Sequence, residues 1–446
     1  MTRSTLPNTI FALSSGRGRS GVAVIRVSGP KARSALEAIA GPAPDARQAV
    51  LRKLVDPDSS EPLDEALVLR FEAPSSFTGE DVVELYVHGG PAVIAGVIAA
   101  LGRVDGLRAA EAGEFARRAF DNDKLDLTQA EGLADLIEAE TQAQRRQALR
   151  QSGGDLRELC DEWREKIIHA SSLVEAALDF SDEADVPDLV GRQARSVVDD
   201  LAGDISRHLK SAVRGERLRD GLQVVLAGAP NAGKSSLLNA LAARDAAIVS
   251  EEPGTTRDLI EVHLDLGGYP VTLIDTAGLR EASGEIEIEG MRRTRTRAQD
   301  ADLVLWLVDA RAPQWEPPDN LNGPDGIVGV LNKIDLGEPD DIPSAVFLKI
   351  SAKTGAGLDD LVAMLAAHAA EAMDAGEPAI VTRERQRLEL ETCSQALSDF
   401  LSGKESELEL RAEDLRVAAR ALGRLSGRVD VEDVLDRIFG DFCIGK

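Results

Sequence analysis

The sequence predicts a multidomain protein in which an α+β region is followed by an all-α region with a doubly wound α/β region inserted into it. Two kinds of pattern predict this organisation. Short alternating or β-branched apolar runs dominate the first part and the middle of the chain, whereas apolar residues recur at helical spacing elsewhere. The length of 446 residues is enough for about three domains at roughly 150 residues each.

The N-terminal region combines strand-like runs with loops. Val22–Val27, Glu65–Phe71 and Val82–Val87 are alternating or branched apolar segments, and the stretch Asp56–Pro62 has the composition of a turn. The apolar, Ala-rich segment Pro91–Leu101 predicts a buried helix instead. This region is therefore expected to be α+β.

Amphipathic helices are predicted on both sides of the middle segment. The recurring apolar positions are Leu127, Ala130, Leu133, Ala134 and Ile137 before it, and Leu415, Ala419, Leu422 and Leu425 after it. Such helices are stable only when their apolar stripes are covered. We therefore expect the two helical stretches to pack together, with the middle of the chain inserted between them.

The middle segment alternates strand and helix patterns. Leu222–Ala227, Leu303–Val308, Ile327–Leu331 and Val346–Ile350 are short apolar runs of the kind found in buried parallel strands. The first two lead into polar loops and then into helical patterns. This alternation is typical of a doubly wound α/β domain.

Composition excludes several classes of function. With 51 basic and 77 acidic side chains the net charge is −26, which argues against broad binding of nucleic acid, since phosphate contacts need positive surface. A nucleic-acid partner would have to be held by a local basic patch. The apolar runs fall far short of the ~20 residues of a membrane span, and no secretory signal is evident. A cytoplasmic protein without membrane attachment is expected.

The strongest motif is Gly228–Ser235, GAPNAGKS, which fits the phosphate-binding pattern GxxxxGKS. It follows an apolar run directly and precedes a helical pattern. Backbone N–H groups of such a loop surround phosphates, and the helix N-terminus adds a positive partial charge. Lys234 is expected to reach the β- and γ-phosphates, and the Ser235 hydroxyl to coordinate Mg²⁺. The motif predicts a nucleotide site.

Three further motifs specify guanine. Asp275-Thr276-Ala277-Gly278 follows the apolar run Val271–Ile274, which places an acid near the Mg²⁺ and the Gly278 N–H near the γ-phosphate. In Asn332-Lys333-Ile334-Asp335, the carboxylate of Asp335 can accept both guanine N1–H and the exocyclic amine, a pair that adenine lacks. Ser351-Ala352-Lys353 can present backbone donors to guanine O6. In this order and after strands, they predict GTP as the nucleotide.

The water-activating group is not determined by these motifs. Thr256 is the natural second hydroxyl for Mg²⁺, with a simple turn after Pro253 as the alternative. Ras-like enzymes orient the attacking water with a glutamine after the Asp-x-x-Gly motif, but Leu279 stands there. The acidic candidates that follow are Glu281, Glu285, Glu287 and Glu289. The pattern does not choose among them, and most of such a charged run is usually solvated.

Taken together, the chain resembles the bacterial tRNA modification GTPase family MnmE (TrmE) over essentially its whole length. Beside the nucleotide motifs, the resemblance is carried by Ile25–Gly29, Ser76–Asp81, His88–Pro91, Gly113–Phe115, Asn122–Leu127 and Phe442–Lys446. It implies an N-terminal folate-binding and dimerisation domain over residues 1–120 and a helical domain over 121–219 and 379–446. It also implies an inserted Ras-like GTPase domain over 220–378.

The resemblance further implies the reaction and its partners. The family members are homodimers that act with a flavin-dependent partner protein on the wobble uridine of certain tRNAs. An aminomethyl-type group is added at C5, and its one-carbon unit comes from formyl- or methylene-tetrahydrofolate. GTP hydrolysis with Mg²⁺ and K⁺ drives the conformational change. Two other hypotheses stay open: a GTP-dependent assembly factor that binds ribosomal RNA or protein, and a GTP-switched scaffold.

Site residues follow from the same resemblance. Arg26, Glu84, Lys124 and Lys446 would contact the folate, Glu287 would orient the attacking water, and Cys443 corresponds to a functional cysteine of the family. From the residues alone, Cys443 is as readily a free thiol as a buried one. The predicted nucleotide contacts are Asn231, Ala232, Gly233, Lys234, Ser235, Ser236, Ser250, Thr255, Thr256, Asp275, Thr276, Ala277, Gly278, Asn332, Lys333, Asp335, Ser351, Ala352 and Lys353.

The implied potassium site contains one departure from the family pattern. Its ligands would be Asn231, Ser250, Glu252 and Thr255, with the cation placed where other GTPases use an arginine finger. Position 252 is usually apolar in the family, but here Glu251-Glu252 brings two acids into the loop. A ligand supplied by the backbone carbonyl would tolerate the change, and the extra negative charge would favour a cation.

Overall fold

The computed structural model forms two compact units. It describes residues 9–16, 18–179, 186–244, 246–248, 261–275, 301–317, 325–339, 342–343, 347–373, 379–404, 407–429, 435, 438–440, 442 and 444–445. The first unit comprises Met1–Ala134 and Leu422–Lys446, and the second comprises Asp135–Ala421. The three-domain division made from the sequence stays a prediction.

The first unit is built on one mixed sheet. Its strands are β1 (Thr9–Leu13), β2 (Ser20–Ser28), β3 (Val50–Val55), β4 (Pro62–Phe71), β5 (Val82–Gly89) and β6 (Leu107–Ala109). Its helices are α1 (Ala32–Ala40), α2 (Pro91–Gly102), α3 (Glu114–Asp121) and the first two turns of α4 (Leu127–Glu138). The strand order is β3-β4-β5-β2-β1-β6, with β6 parallel to β1 and the other pairs antiparallel.

Alternating side chains on these strands place the main apolar core on one face of the sheet, and a smaller cluster contains Ile10, Ala12 and Phe115. Ile25, Val27 and Leu85 are buried with Leu36 of α1 and Leu101 of α2 in one apolar cluster. The charged and polar positions between them, such as those of β5, lie on the other face, as a period of two requires. The predicted strands at β2, β4 and β5 and the predicted helix at α2 are confirmed.

The end of the chain returns to the first strand of this unit. Ile444 forms an antiparallel bridge with Ala112, and the Ser14 hydroxyl donates a 2.7 Å hydrogen bond to the carbonyl of Gly445. Gly445 has a φ of +102°, and a Cβ there would collide with the carbonyl of Leu13. Only glycine combines that backbone angle with so close an approach.

The second unit contains a second sheet and most of the long helices. Its strands are β7 (Leu222–Gly228), β8 (Ala247–Ile248), β9 (Glu261–Leu266), β10 (Tyr269–Asp275), β11 (Leu303–Asp309), β12 (Ile327–Asn332) and β13 (Phe347–Lys349). Its helices are α5 (Gln142–Gly153), α6 (Asp155–Asp179), α7 (Val186–Asp220), α8 (Lys234–Ala242), α9 (Leu358–Met373), α10 (Glu384–Ser402) and most of α11 (Leu408–Ser426).

The strand order of this sheet brings four polar strand ends to one edge. The order is β13-β12-β11-β7-β10-β9-β8, and the strands from β13 to β10 are mutually parallel. Their carboxyl ends therefore share an edge, where ligands of open α/β sheets bind. The predicted parallel strands are confirmed, whereas the antiparallel edge of β9 and β8 was not predicted, because its half-exposed residues lack a continuous apolar run.

The two helical patterns predicted from the sequence are confirmed, since the first lies in α4 and the second in α11. In α6, Leu156, Trp163 and Ile167 are buried, and the Trp163 indole N–H donates a 2.8 Å hydrogen bond to Asp204 of α7. A reciprocal capping box of Thr141 and Gln144 begins α5. Among the residues that the structure describes, no helix is both long and apolar enough to cross a membrane.

Candidate functional site

The phosphate loop lies between β7 and α8, as the motif predicts. Gly233 caps α8 with a φ of +97°, and a Cβ there would collide with the amide of Asn332. A Cβ on Gly228 would lie 2.5 Å from the carbonyl of Leu307 on β11. The Lys234 ammonium donates to the carbonyls of Gly228 at 2.9 Å and Ala229 at 3.1 Å. The loop is thus closed on itself by the lysine that is predicted to reach phosphate.

Ser235, a predicted magnesium ligand, contacts Asp275, the acid predicted to lie near the Mg²⁺. The Ser235 hydroxyl, in the first turn of α8, donates a 2.7 Å hydrogen bond to Oδ2 of Asp275 at the end of β10. Asp275 is fully buried, whereas Ser235 is exposed. Hydroxyl and carboxylate oxygens are the ligands that Mg²⁺ prefers, so the donor set fits this cation.

The buried side chain of Asn332 joins the phosphate loop to the guanine motifs. Its Nδ2 donates to the carbonyl of Ala232 at 2.9 Å. Its Oδ1 accepts from the backbone N–H of Lys333 at 2.8 Å and of Ala352 at 3.1 Å. The Ala352 N–H, which the sequence offered to guanine O6, is therefore already bonded to Asn332.

The predicted base-reading carboxylate is held by a neighbouring loop. The Ser351 hydroxyl donates a 2.6 Å hydrogen bond to Oδ1 of Asp335, which leaves the second oxygen, Oδ2, on an exposed side chain. Ser351 itself is fully buried, and its hydroxyl accepts from the Thr354 N–H at 3.2 Å. The arrangement orients Asp335 toward solvent-accessible space, where a base can reach it.

One residue of this edge was not identified from the sequence. Asp309 ends β11 and accepts a 2.7 Å hydrogen bond from the Lys333 ammonium, which also donates to the carbonyl of Asn231 at 2.6 Å. Burial alone would raise the pKa of Asp309, but Lys333 and the Arg311 N–H stabilise the carboxylate and hold the pKa below its usual value. The sequence signal that could have identified Asp309 is an acidic residue directly after a buried apolar strand.

Several predicted residues lie outside the described part of the chain. They are Ser250, Glu252, Thr255, Thr256, Thr276, Ala277, Gly278, Glu287, Cys443 and Lys446. Ser236 is exposed in the first turn of α8, and Lys353 is exposed directly after Ala352. Their predicted roles remain predictions.

The predicted folate residues of the first unit are partly brought together. Arg26 and Glu84 are register partners on β2 and β5, and their side chains form a 3.0 Å ion pair. The Tyr86 hydroxyl donates to the other oxygen of Glu84 at 2.9 Å. The rings of Phe77 and Phe115 lie 5.1 and 5.6 Å from the Arg26 guanidinium. An ion pair beside aromatic rings is an arrangement that can bind a flat, polar heterocycle.

Lys124 lies beside the loop that borders this pair. A Cβ on Gly79 would lie 3.3 Å from Cε of Lys124, and the Asn122 amide donates a 2.7 Å hydrogen bond to the carbonyl of Thr78. Because Phe77 of the same loop contacts Arg26, the loop connects Lys124 with the Arg26–Glu84 pair. The geometry is compatible with one shared site.

Comparison with known proteins places the chain in a family. The sequence model of the MnmE helical domain matches residues 127–443, and that of the N-terminus of the GTP-binding protein TrmE matches residues 9–124. The chain belongs to the MnmE family. The resemblance inferred from the motifs is thereby confirmed.

Individual MnmE relatives match over almost the full length. The chain is 54% identical to the tRNA modification GTPase MnmE of Parvibaculum lavamentivorans, over 98% of this chain and 100% of that protein. It is also 54% identical to the tRNA modification GTPase MnmE of Rhodopseudomonas palustris, over 98% and 99% of the two proteins. Among solved structures, the G domain of the T. maritima FeoB iron transporter matches 33% of this chain and 98% of its own, at 26% identity and a TM-score of 0.24.

Proposed function

We propose that this chain, a GTP hydrolase of tRNA modification by its family, hydrolyses GTP in a potassium-dependent reaction and modifies C5 of the wobble uridine of certain tRNAs. It acts as a homodimer with a flavin-dependent partner protein. The added group is of the aminomethyl type, with its one-carbon unit from formyl- or methylene-tetrahydrofolate. The net charge of −26 leaves most of the tRNA contact to the partner.

The observation that carries the proposal is the convergence of four motifs at one sheet edge. The phosphate loop is joined to Asp275 through Ser235 and to Asn332 through the Ala232 carbonyl, and Asp335 is joined to Ser351, by hydrogen bonds of 2.6 to 2.9 Å. A phosphate-binding lysine, oxygen ligands for a divalent cation and an exposed carboxylate for a base are the components of a guanine-nucleotide site.

Each residue then has a defined task in hydrolysis. Lys234 and the loop N–H groups bind the β- and γ-phosphates, and Asp335 selects guanine through its free carboxylate oxygen. Ser235 and Thr256 would hold Mg²⁺, which neutralises charge on the phosphate oxygens when bound. Glu287 orients the attacking water. Asn231 and the carbonyls and hydroxyls of residues 250–255 would hold K⁺.

The one-carbon donor fits the aromatic and charged site of the first unit. Glu84 can accept N–H groups of a pterin-like ring, Arg26 can donate to its oxygen, and the partly exposed Phe77 supplies flat apolar surface. Tetrahydrofolate supplies the one-carbon unit when bound. Ile444 and Gly445 belong to this same unit, where they contact Ala112 and Ser14.

The first test compares steady-state GTP hydrolysis in KCl and in NaCl at equal ionic strength. Strong stimulation by potassium is expected, because the cation compensates charge that develops on the phosphates. Equal rates in the two salts would overturn the potassium dependence. They would point to the acidic departure at Glu251-Glu252 as its cause.

A second test separates tRNA modification from ribosome assembly. The chain is mixed with the flavin-dependent partner, GTP, substrate tRNA and tetrahydrofolate labelled in its one-carbon unit, and the wobble nucleoside is analysed by mass. Label at C5 is expected, and it is expected to be reduced in Cys443→Ser. Co-purification with a ribosomal subunit and no folate binding would favour an assembly factor. Modification that is unaffected in Cys443→Ser would favour the hypothesis of a GTP-switched scaffold.

A further inference from the structure

We propose that Asp309 is a positioning residue that holds the Lys333 ammonium against the Asn231 carbonyl, so that guanine recognition and the phosphate loop are coupled. Asp309 touches neither the base nor the phosphates in this scheme and acts through Lys333. The inference rests on the proposed GTP site and deepens it, because it explains how the loop residue predicted to bind potassium keeps its conformation.

The Lys333 ammonium contacts the Asp309 carboxylate and the Asn231 carbonyl at the same time. The Lys333 Nζ lies 2.7 Å from Oδ2 of Asp309 and 2.6 Å from the carbonyl oxygen of Asn231. Oδ1 of Asp309 accepts the backbone N–H of Arg311 at 3.0 Å, so both carboxylate oxygens are engaged. The side chains of Lys333 and Asp309 are 22% and 13% exposed. A partly buried, charge-assisted hydrogen bond is stronger than a neutral one.

Two consecutive loop carbonyls are held by two consecutive residues of the guanine motif. Lys333 binds the carbonyl of Asn231, and Asn332 binds the carbonyl of Ala232. Asn332 and Asp309 are register partners at the ends of β12 and β11, so the sheet fixes their separation. The loop is therefore attached to the base-reading motif at adjacent points.

Both residues joined by the Lys333–Asn231 contact have a left-handed backbone conformation. Asn231 has a φ of +65° and Lys333 a φ of +68°. Asparagine tolerates the left-handed region, but lysine does not, so the conformation of Lys333 persists where surrounding contacts enforce it. A lysine ammonium is a flexible point charge with three donors, so without Asp309 nothing on β11 would confine it to Asn231.

The test is a double-mutant cycle on nucleotide and potassium binding. Asp309→Asn keeps the shape and removes the charge, Lys333→Met removes the ammonium, and the double variant closes the cycle. Asp359→Asn is the matched control, because its exposed carboxylate pairs with Arg244 on the same unit, away from the loop. Each protein is measured for its Kd for a fluorescent GDP and for the K⁺ concentration that gives half-maximal GTP hydrolysis.

The proposal predicts specific changes in GDP affinity and in the half-maximal K⁺ concentration. Asp309→Asn is expected to weaken GDP binding roughly tenfold and to raise the half-maximal K⁺ concentration about threefold or more. In the Lys333→Met background, the same change is expected to alter either quantity less than about twofold, because the partner is already gone. The conservative variant Asp309→Glu is expected to recover part of the loss in both quantities.

Three results would overturn the proposal. They are an Asp309→Asn protein with unchanged GDP affinity and K⁺ dependence, equal effects of that change with and without Lys333, and a matching loss in Asp359→Asn. If Asp309→Asn fails to fold, Asp309→Glu and Lys333→Met test the proposal instead. Both are then expected to raise the K⁺ concentration that gives half-maximal GTP hydrolysis. A wild-type protein that lacks GDP binding would instead refute the proposed GTP site. If K⁺ does not stimulate hydrolysis by the wild type, the double-mutant cycle is evaluated from the GDP affinities alone.

Discussion

The Ser235 hydroxyl donates a 2.7 Å hydrogen bond to the buried carboxylate of Asp275, although 40 residues separate the two in the sequence. They meet because β10 pairs directly with β7, the strand that leads into the phosphate loop. Neighbouring parallel strands end at the same edge, so the first turn of α8 faces the end of β10. The pair creates a preformed set of oxygen ligands at that edge.

Asp275→Asn is predicted to raise the Mg²⁺ concentration needed for half-maximal GTP hydrolysis by about tenfold or more. The amide keeps the shape and the hydrogen bond to Ser235 but loses the charge that attracts the cation. The measurement is a Mg²⁺ titration of the hydrolysis rate, with Asp359→Asn as the control for loss of one surface carboxylate. An unchanged Mg²⁺ curve would show that Asp275 has only a structural part in the site.

Asp335→Asn is predicted to reverse the choice of base. Guanine loses an acceptor for its N1–H and exocyclic amine, whereas xanthine carries an oxygen that the new amide can meet with a donor. GTP affinity is expected to fall roughly 100-fold, with XTP bound more tightly than GTP. Competition of both nucleotides against fluorescent GDP and fluorescent XDP measures the change. Equal losses for GTP and XTP would mean that Asp335 supports the loop through Ser351 and does not read the base.

Glu287→Ala is predicted to abolish hydrolysis and spare GTP binding. A carboxylate that only orients the attacking water contributes to the transition state and little to the ground state. Single-turnover hydrolysis and GTP affinity are measured in parallel, and Glu281→Ala and Glu289→Ala serve as matched changes in the same acidic run. A loss of affinity instead would make Glu287 structural, and a loss of rate in a neighbouring variant would move the assignment.

The stability of the first unit is predicted to decrease in acid through Glu114. Burial alone would raise the pKa of Glu114, but hydrogen bonds from Arg108, the Glu111 N–H and Arg118 hold it below the ordinary value of 4.5. Because the folded pKa is lowered, the stabilisation is complete above the unfolded pKa and is lost as the pH falls through the folded one. The effect therefore begins below about pH 4.5.

The check is the thermal melting temperature between about pH 3 and pH 7 for wild type and Glu114→Gln. The variant is expected to melt lower at neutral pH, because Arg108 and Arg118 lose their carboxylate partner. Its melting temperature should also fall less than that of the wild type below about pH 4.5. Identical pH slopes for the two proteins would show that other carboxylates govern the acid response.

The elements that could be predicted from the sequence are those that local pattern specifies. The apolar run Leu222–Ala227, the glycines of the loop and the helical pattern after Lys234 determine strand, turn and helix within a few residues of one another. The motif residues Lys234, Ser235, Asn332 and Asp335 could be named for the same reason, since each motif is a short segment with fixed chemistry.

Only the tertiary structure decided which distant residues meet. Asp309 carries no motif of its own, and its role depends on β11 lying between β7 and β12 in the sheet. Likewise, the contact of Gly445 with Leu13 joins the two ends of the chain. Hydrophobic periodicity specifies the face that a segment buries, but strand order and the path of a terminus follow from the packing of the whole chain, which local spacing does not encode.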